Sequence, residues 1–296
     1  MEYSSQRDYI RGAEMSAVVF LKGLLSRFAS TPPLKHAVVT TFHKKGYEVY
    51  GKRCIETFLQ HWPDDIKMFV YAEGVDVDVK DNRVIVIDQA QNVPRLHEFR
   101  ALYKDNPFAN GTDPRGKGGS SNFRWDAIRF SNKVFAVTDA IERTKGSFNQ
   151  LIWLDADTVT HTPLPRKIVD NLAPREDQLA AYLNRKSYPE CGWVGYNLNH
   201  PKIDDFANRF EQAYLSGRFL KMKESHDSFV FWETVKDMEK KGEAGFKYLG
   251  SDSASGHIFI NSVLGGYLDH LKGDRKSDGK SRSTDLYTKR KEAWWH

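Results

Sequence analysis

The sequence predicts an α/β protein with helices packed on a parallel sheet, and three observations carry that expectation. Short apolar, β-branched runs of strand length (His36–Phe42, Ile66–Ala72, Val84–Ile87) stand in series. Between the first two lies Gly46–Trp62, whose apolar residues Tyr47, Tyr50, Cys54, Ile55, Phe58, Leu59 and Trp62 recur at helical spacing until Pro63 ends the pattern. Strand, helix and strand in that order need a crossover, which is how parallel neighbours are joined. The third is the apolar run Gln150–Leu154, which stops at two carboxylates, Asp155 and Asp157.

The chain of 296 residues buries a full core without disulfide or metal staples. We expect a helical appendage over residues 1–33, a catalytic domain over 34–280 and a basic, aromatic tail over 281–296. Hydrophobic residues at 40%, aromatic at 13% and charged at 28% exclude a wholly disordered chain. Two cysteines, Cys54 and Cys191, do not make a disulfide framework, which points to a reducing, cytoplasmic compartment. The net charge of +5 suits ordinary solubility or a phosphate-bearing small substrate, and no nucleic-acid partner is expected.

The only early apolar run, Ala17–Leu21, is followed by Lys22 and Arg27, too short and interrupted for a signal peptide or a membrane span. Ala13–Phe28 reads as an amphipathic helix that docks on the core or makes a peripheral contact with a membrane or a partner. Thr31-Pro32-Pro33 breaks the chain before the first strand.

Residues 89–121 turn polar and glycine-rich, so a mobile loop is expected there, centred on Asn110–Gly119. Arg115 and Lys117 in it resemble a phosphate clamp, but the G-K-[ST] of a P-loop is missing. Helix returns over Asn122–Glu142 with the stripe Ala127, Phe130, Val134, Val137 and Ile141. Trp125, Arg129 and Lys133 share its neighbouring face, either as a solvated basic face or as contacts to a phosphate or carboxylate. Gln178–Leu183 is expected as a strand and Ile203–Leu215 as a helix; Ser225 or Asp227 is expected to cap the next helix.

Asp155 and Asp157 are spaced i, i+2, and on an extended backbone such side chains point the same way. At the carboxyl end of a buried strand, where open α/β sheets bind ligands, they would hold one hard divalent cation. A strand-end turn, where Asp is frequent for backbone reasons, is the plain alternative.

Taken together, several stretches resemble the metal-dependent GT-A glycosyltransferases, most closely the glycogenin-like and bacterial galactosyltransferase members of family 8. Val39-Thr40-Thr41-Phe42 followed by Tyr47 and Gly51 resembles their nucleoside-binding strand and turn. Leu154-Asp155-Ala156-Asp157-Thr158 resembles their D-A-D-T metal strand. Glu190-Cys191-Gly192 and His226-Asp227-Ser228 stand where those enzymes have N-[AS]-G and D-Q-D. His270-Leu271-Lys272-Gly273-Asp274-Arg275-Lys276 has their H-x-x-G-x-x-K spacing. Phe42 replaces the asparagine of the first strand, and the proline-tryptophan that usually follows the motif lysine is absent.

The resemblance implies a GT-A fold with a Rossmann-like mixed central sheet. It implies Mn²⁺ (or Mg²⁺) on Asp155, Asp157 and His270, the imidazole tilting the choice toward manganese. A nucleotide-sugar donor, UDP-linked, would lie against Thr40, Thr41, Phe42, Tyr47, Ala156 and Gly273, with Lys276, and Arg129 or Lys133, on its phosphates. The acceptor would be a hydroxyl of a glycan, lipid or protein. The same resemblance implies retention of anomeric configuration, with Asp227 stabilising charge on the sugar and Glu190 binding a hydroxyl. Two competing readings stand beside it. Asp155-Ala156-Asp157-Thr158-Val159 also fits the nucleophile motif of haloacid-dehalogenase phosphatases, and the departures at Phe42 and after Lys276 fit a non-catalytic sugar-nucleotide or glycan-binding protein.

Overall fold

The computed structural model describes residues 33–116 and 122–296. The helix expected over 13–28 and the part of the glycine-rich stretch at 117–121 lie outside the described residues. Lys35–His296 form one compact unit. Among the described residues no helix is long and apolar enough to cross a membrane.

The expected α/β architecture is the one observed. Seven strands form a central sheet: β1 (His36–His43), β2 (Lys67–Glu73), β3 (Val84–Asp88), β4 (Gln150–Leu154), β6 (Gln178–Leu183), β7 (Glu190–Asn197) and β8 (Gly245–Tyr248). Their spatial order is β3-β2-β1-β4-β7-β6-β8, and β7 alone runs against its neighbours β4 and β6. The sheet is therefore mixed but mostly parallel. Two short strands, β5 (Thr158–Thr160) and β9 (Leu268–His270), pair separately as an antiparallel ribbon.

Alternation along the strands sorts their side chains onto two apolar faces. Ala37, Val39, Leu151 and Trp153 face the helices α2 (Pro94–Tyr103), α3 (Ala127–Thr144), α5 (Ile203–Leu215) and α6 (Asp227–Lys240). Val38, Phe42, Ile152 and Leu154 face α1 (Lys52–His61), α4 (Arg166–Leu172) and the β5–β9 ribbon. Of the helical stripes read from the sequence, Cys54, Ile55 and Phe58 of α1 and Ala127, Val134, Val137 and Ile141 of α3 are buried, while Leu59 and Phe130 are half-buried.

Three expectations need correction. Residues 89–116 are not a featureless loop: they hold a helical turn, Gln89–Asn92, then α2, then a 3₁₀ turn at Pro107–Ala109. Pro94 opens α2 and supplies its preset φ, while Leu96 and Phe99 enter the core, Phe99 against Tyr103, Phe135, Tyr214 and Phe219. A polar surrounding composition hid that anchoring. The helix expected over Gly46–Trp62 is wound as a π-turn over Tyr47–Gly51 before α1 begins. Gly51 is needed there, because a Cβ would lie 2.8 Å from the Phe42 ring. The cap of α6 is His226, whose Nδ1 accepts from Phe229 N at 3.4 Å; Asp227 is the first helical residue.

The closing segment lies over the β5–β9 ribbon. Trp295 is buried and donates to Gly265 O at 2.9 Å, and Trp294 stacks on His161 and donates to Asp269 Oδ2 at 3.0 Å. Ser281 N donates to the same Asp269 oxygen at 2.8 Å. Removing the buried indole leaves a cavity and an unpaired carbonyl, so Trp295→Ala should destabilise the protein by about 3 kcal/mol. Urea denaturation of the full chain checks this, and a loss under about 0.5 kcal/mol, the range of ordinary surface changes, would show that the closing segment is dispensable.

Candidate active site

At the carboxyl ends of the parallel strands lies a cavity of about 680 Å³. It is lined at one end by Thr41, Phe42, Tyr50 and Glu73, in the middle by Asp155, Ala156, Asp157 and His270, and at the other end by Tyr188, His226 and Asp227. The position is the one at which open α/β sheets place ligands.

The two carboxylates do not sit on one continuous strand. β4 ends at Leu154, and Asp155-Ala156-Asp157 turns the chain into β5. That turn creates the site, because β5 pairs with β9 and sets Thr158 opposite His270. Leu271 N donates to Asp157 O at 2.8 Å and locks the two segments at this point. His270 Nε2 then lies 3.1 Å from Asp157 Oδ1 and 3.4 Å from Asp155 Oδ2.

Each carboxylate is aimed by its other oxygen. Asp155 Oδ1 accepts from Trp153 Nε1 at 2.6 Å and from Lys133 Nζ at 2.9 Å. Asp157 Oδ2 pairs with Lys276 Nζ at 2.7 Å. Asp155 Oδ2, Asp157 Oδ1 and the imidazole therefore face one another. Burial favours the neutral form of both carboxyls, but Lys133 and His270 for Asp155, and His270 and Lys276 for Asp157, hold them below the usual range. Burial works to lower the His270 pKa as well; Asp157, Asp155 and Glu190 outweigh it and hold it up at about 9.

The donor set fits a divalent cation. Donor atoms of Asp155, Asp157 and His270 all lie within 4.8 Å of one another. Ligand bonds of about 2.1 Å let two donors of one ion stand up to about 4.2 Å apart, so the 3.1 and 3.4 Å separations suit a shared ion. Asp155, Asp157 and His270 thus meet as the sequence anticipated.

Other anticipated residues divide. Thr41, Phe42, Arg129, Lys133, Ala156, Glu190, Asp227, Gly273 and Lys276 all line the cavity. Thr40 does not: it is fully buried on the face of β1 that carries Val38 and Phe42. Tyr47 does not line it either; it stacks on Phe42 at 5.2 Å. Lys133 has no N–H left for a phosphate, because its ammonium meets Cys191 O at 2.7 Å, Asp227 Oδ2 at 2.8 Å and Asp155 Oδ1. Its buried charge is stabilised between the two carboxylates, which hold its pKa above the usual range against the opposing pull of burial.

Several lining residues escaped the sequence reading. Tyr50 enters through the π-turn, whose geometry helical periodicity does not reveal, and Lys276 lies over its ring at 5.0 Å. Glu73 ends β2 and accepts from Thr41 Oγ1 at 2.9 Å; burial raises its pKa against the opposing influence of that bond, Arg100 and Arg129. Arg185 and Tyr188 come from the β6–β7 connection and stack at 4.7 Å. Lys272 lay inside the H-x-x-G-x-x-K stretch, which was the one signal within reach; its ion pair with Glu190 shows only in the structure.

No family model and no curated protein matches this chain. Solved structures similar to it include mouse xyloside xylosyltransferase 1 in its apo form, at 12% identity over 72% of this chain and 84% of that one, TM-score 0.47. Another is the apo bifunctional glycosyltransferase WbbM, at 11% identity over 73% of this chain and 39% of that one, TM-score 0.41. What the site can do rests on its own residues.

Lys133→Met leaves the half-buried Asp155 and the buried Asp227 without their shared cation. Breaking such a contact from one side typically costs about 3 kcal/mol or more. Chemical denaturation should show that loss, and wild-type stability would mean that water solvates the two carboxylates.

Proposed function

We propose that this chain is a metal-dependent glycosyltransferase that moves a sugar from a nucleotide-diphosphate donor, UDP-linked, to a hydroxyl acceptor. The observation that carries the reading is the convergence of Asp155, Asp157 and His270 on one point beside Lys276. Breaking the bond between the sugar and a diphosphate develops negative charge on the leaving phosphate, and catalysis consists largely of stabilising it. A cation on the triad would supply that stabilisation as a Lewis acid, and Mn²⁺ suits one imidazole with two carboxylates better than Mg²⁺ does.

The chain's own residues do the rest. Lys276 neutralises phosphate oxygens next to the triad. Phe42, backed by Tyr47, and Glu73 with Thr41 line the end of the cavity that would hold the nucleoside. At the opposite end Asp227, at the start of α6, stabilises positive charge on the sugar.

Retention is the favoured outcome. An inverting enzyme needs a carboxylate able to take the acceptor's proton, and a good base has a pKa near the working pH. Burial opposes ionisation of Glu190, yet Lys272, His270 and Arg185 hold its pKa down to about 2. Asp227 is engaged by Lys133 at 2.8 Å. Glu190 is therefore a weak base, and the Asp227 carboxylate is occupied by the Lys133 ammonium. With retention, the departing phosphate oxygen takes the acceptor's proton as the new glycosidic bond forms.

A screen of nucleotide sugars for hydrolysis or transfer, with Mn²⁺ and after chelation, tests the function. Turnover that disappears with chelator is expected, and Lys276→Ala should lower it about 100-fold at unchanged melting temperature. Unchanged turnover in the variant would remove Lys276 from the reaction, and donor binding without any turnover would leave the non-catalytic reading standing.

Proton NMR of the first product formed from an α-linked donor should show the α anomer. A β product would refute retention and make one of the two carboxylates the base.

A further inference from the structure

We infer that Glu190 is a positioning residue that seats the ring of His270 for the cation, and not a group that meets the sugar or the incoming hydroxyl. The inference rests on the metal reading of the triad.

Tautomer chemistry supplies the first step. Nε2 of His270 faces Asp155 and Asp157, so a ring that offers Nε2 to a cation carries its proton on Nδ1. Nδ1 is buried and makes no hydrogen bond of ordinary length among the described residues. The acceptor in front of it is Glu190 Oε1, at 3.5 Å. A buried N–H left without a partner costs about 1–3 kcal/mol, so the pair is favoured to close. Metal-binding imidazoles commonly give their second N–H to a carboxylate in this way.

The surroundings are shaped for that contact. Glu190 and Gly192, two residues apart on β7, both approach the ring of His270. A Cβ on Gly192 would lie 2.8 Å from both Nδ1 and Cε1 of His270, so the imidazole rests directly on the bare backbone of β7. Phe259 packs against the ring at 5.0 Å, and His257 Nε2 meets the carbonyl of His270 at 2.7 Å. The ring has little room to turn, and its seat is supplied by the strand that carries Glu190.

Glu190 itself is aimed. Its Oε2 is taken by Lys272, two residues beyond His270, with Arg185 Nη1 at 3.8 Å from the same atom. Oε1 is left for Nδ1. Both oxygens of the carboxylate are thus engaged from within the chain, Oε2 by Lys272 and Oε1 facing the imidazole.

Mn²⁺ binding to the full chain, measured by calorimetry at one pH and without donor, tests the inference. Glu190→Ala should weaken binding 10–100-fold, with Glu190→Gln in between, since the amide oxygen still accepts from Nδ1 but lacks the charge. At saturating Mn²⁺ the donor KM should stay within about twofold. Should the alanine variant fail to fold, the near-isosteric glutamine variant decides alone. Wild-type Mn²⁺ affinity in a folded Glu190 variant, together with a raised KM, would overturn the inference and return Glu190 to the substrate. Absence of Mn²⁺ binding by the wild-type protein would sink the metal reading itself, a result distinct from the other two.

Discussion

Four carboxylates, those of Asp155, Asp157, Glu190 and Asp227, are held at the carboxyl edge of one sheet, and the rest of the structure is arranged to make that tolerable. An ionised carboxylate removed from water costs several kcal/mol unless paired and hydrogen-bonded. The compensating cations come from three other parts of the chain: Lys133 from α3 serves Asp155 and Asp227, Lys272 and Lys276 from the segment after β9 serve Glu190 and Asp157, and Arg185 from the β6–β7 connection adds to Glu190. The concentration of charge is a property of tertiary packing. It also makes the region chemically versatile, because each of Asp155 and Asp157 is tethered by one oxygen and offers the other.

The scaffold delivers these groups through small departures from regular structure. The turn at Asp155–Asp157 lets a central strand continue into a separate ribbon, and that ribbon brings His270 to the two aspartates. The π-turn before α1 brings Tyr50 to Lys276; such irregular turns are frequent at functional sites. Beneath the ribbon Asp269, next to His270, accepts from Ser281 N and Trp294 Nε1, so the closing segment is bonded to the strand that carries the imidazole. Disturbing Trp294 or Trp295 would therefore reach the site through β9.

Much of this was legible in the sequence for simple physical reasons. Continuous apolar runs of strand length identified β1 and β4, which are buried on both faces, and a 3.6-residue apolar stripe identified α3. Two carboxylates ending an apolar run announced a site for charge, and the residue types Asp, Asp and His limited the cation to one that accepts oxygen and nitrogen together. Phe99 and Leu96 were not recognised as core, since a helix anchored by few apolar residues in polar surroundings resembles a loop.

Local sequence alone determined which residues bear chemistry; what each one faces was decided by packing between distant segments. Helical spacing left Lys133 on a solvated face or against a phosphate or carboxylate, and packing decided for carboxylates, those of Asp155 and Asp227, with Cys191 O as the third acceptor. Thr40 and Thr41 are neighbours, but the pleat of β1 sends one into the core and the other to the cavity. Glu190 stood in a segment expected to meet the sugar, and the register of β7 beside β4, with β9 on the ribbon beyond, turned it toward His270. Direction is set by pairing and pleat, which depend on contacts between residues far apart in the chain, and no window of neighbouring residues contains them.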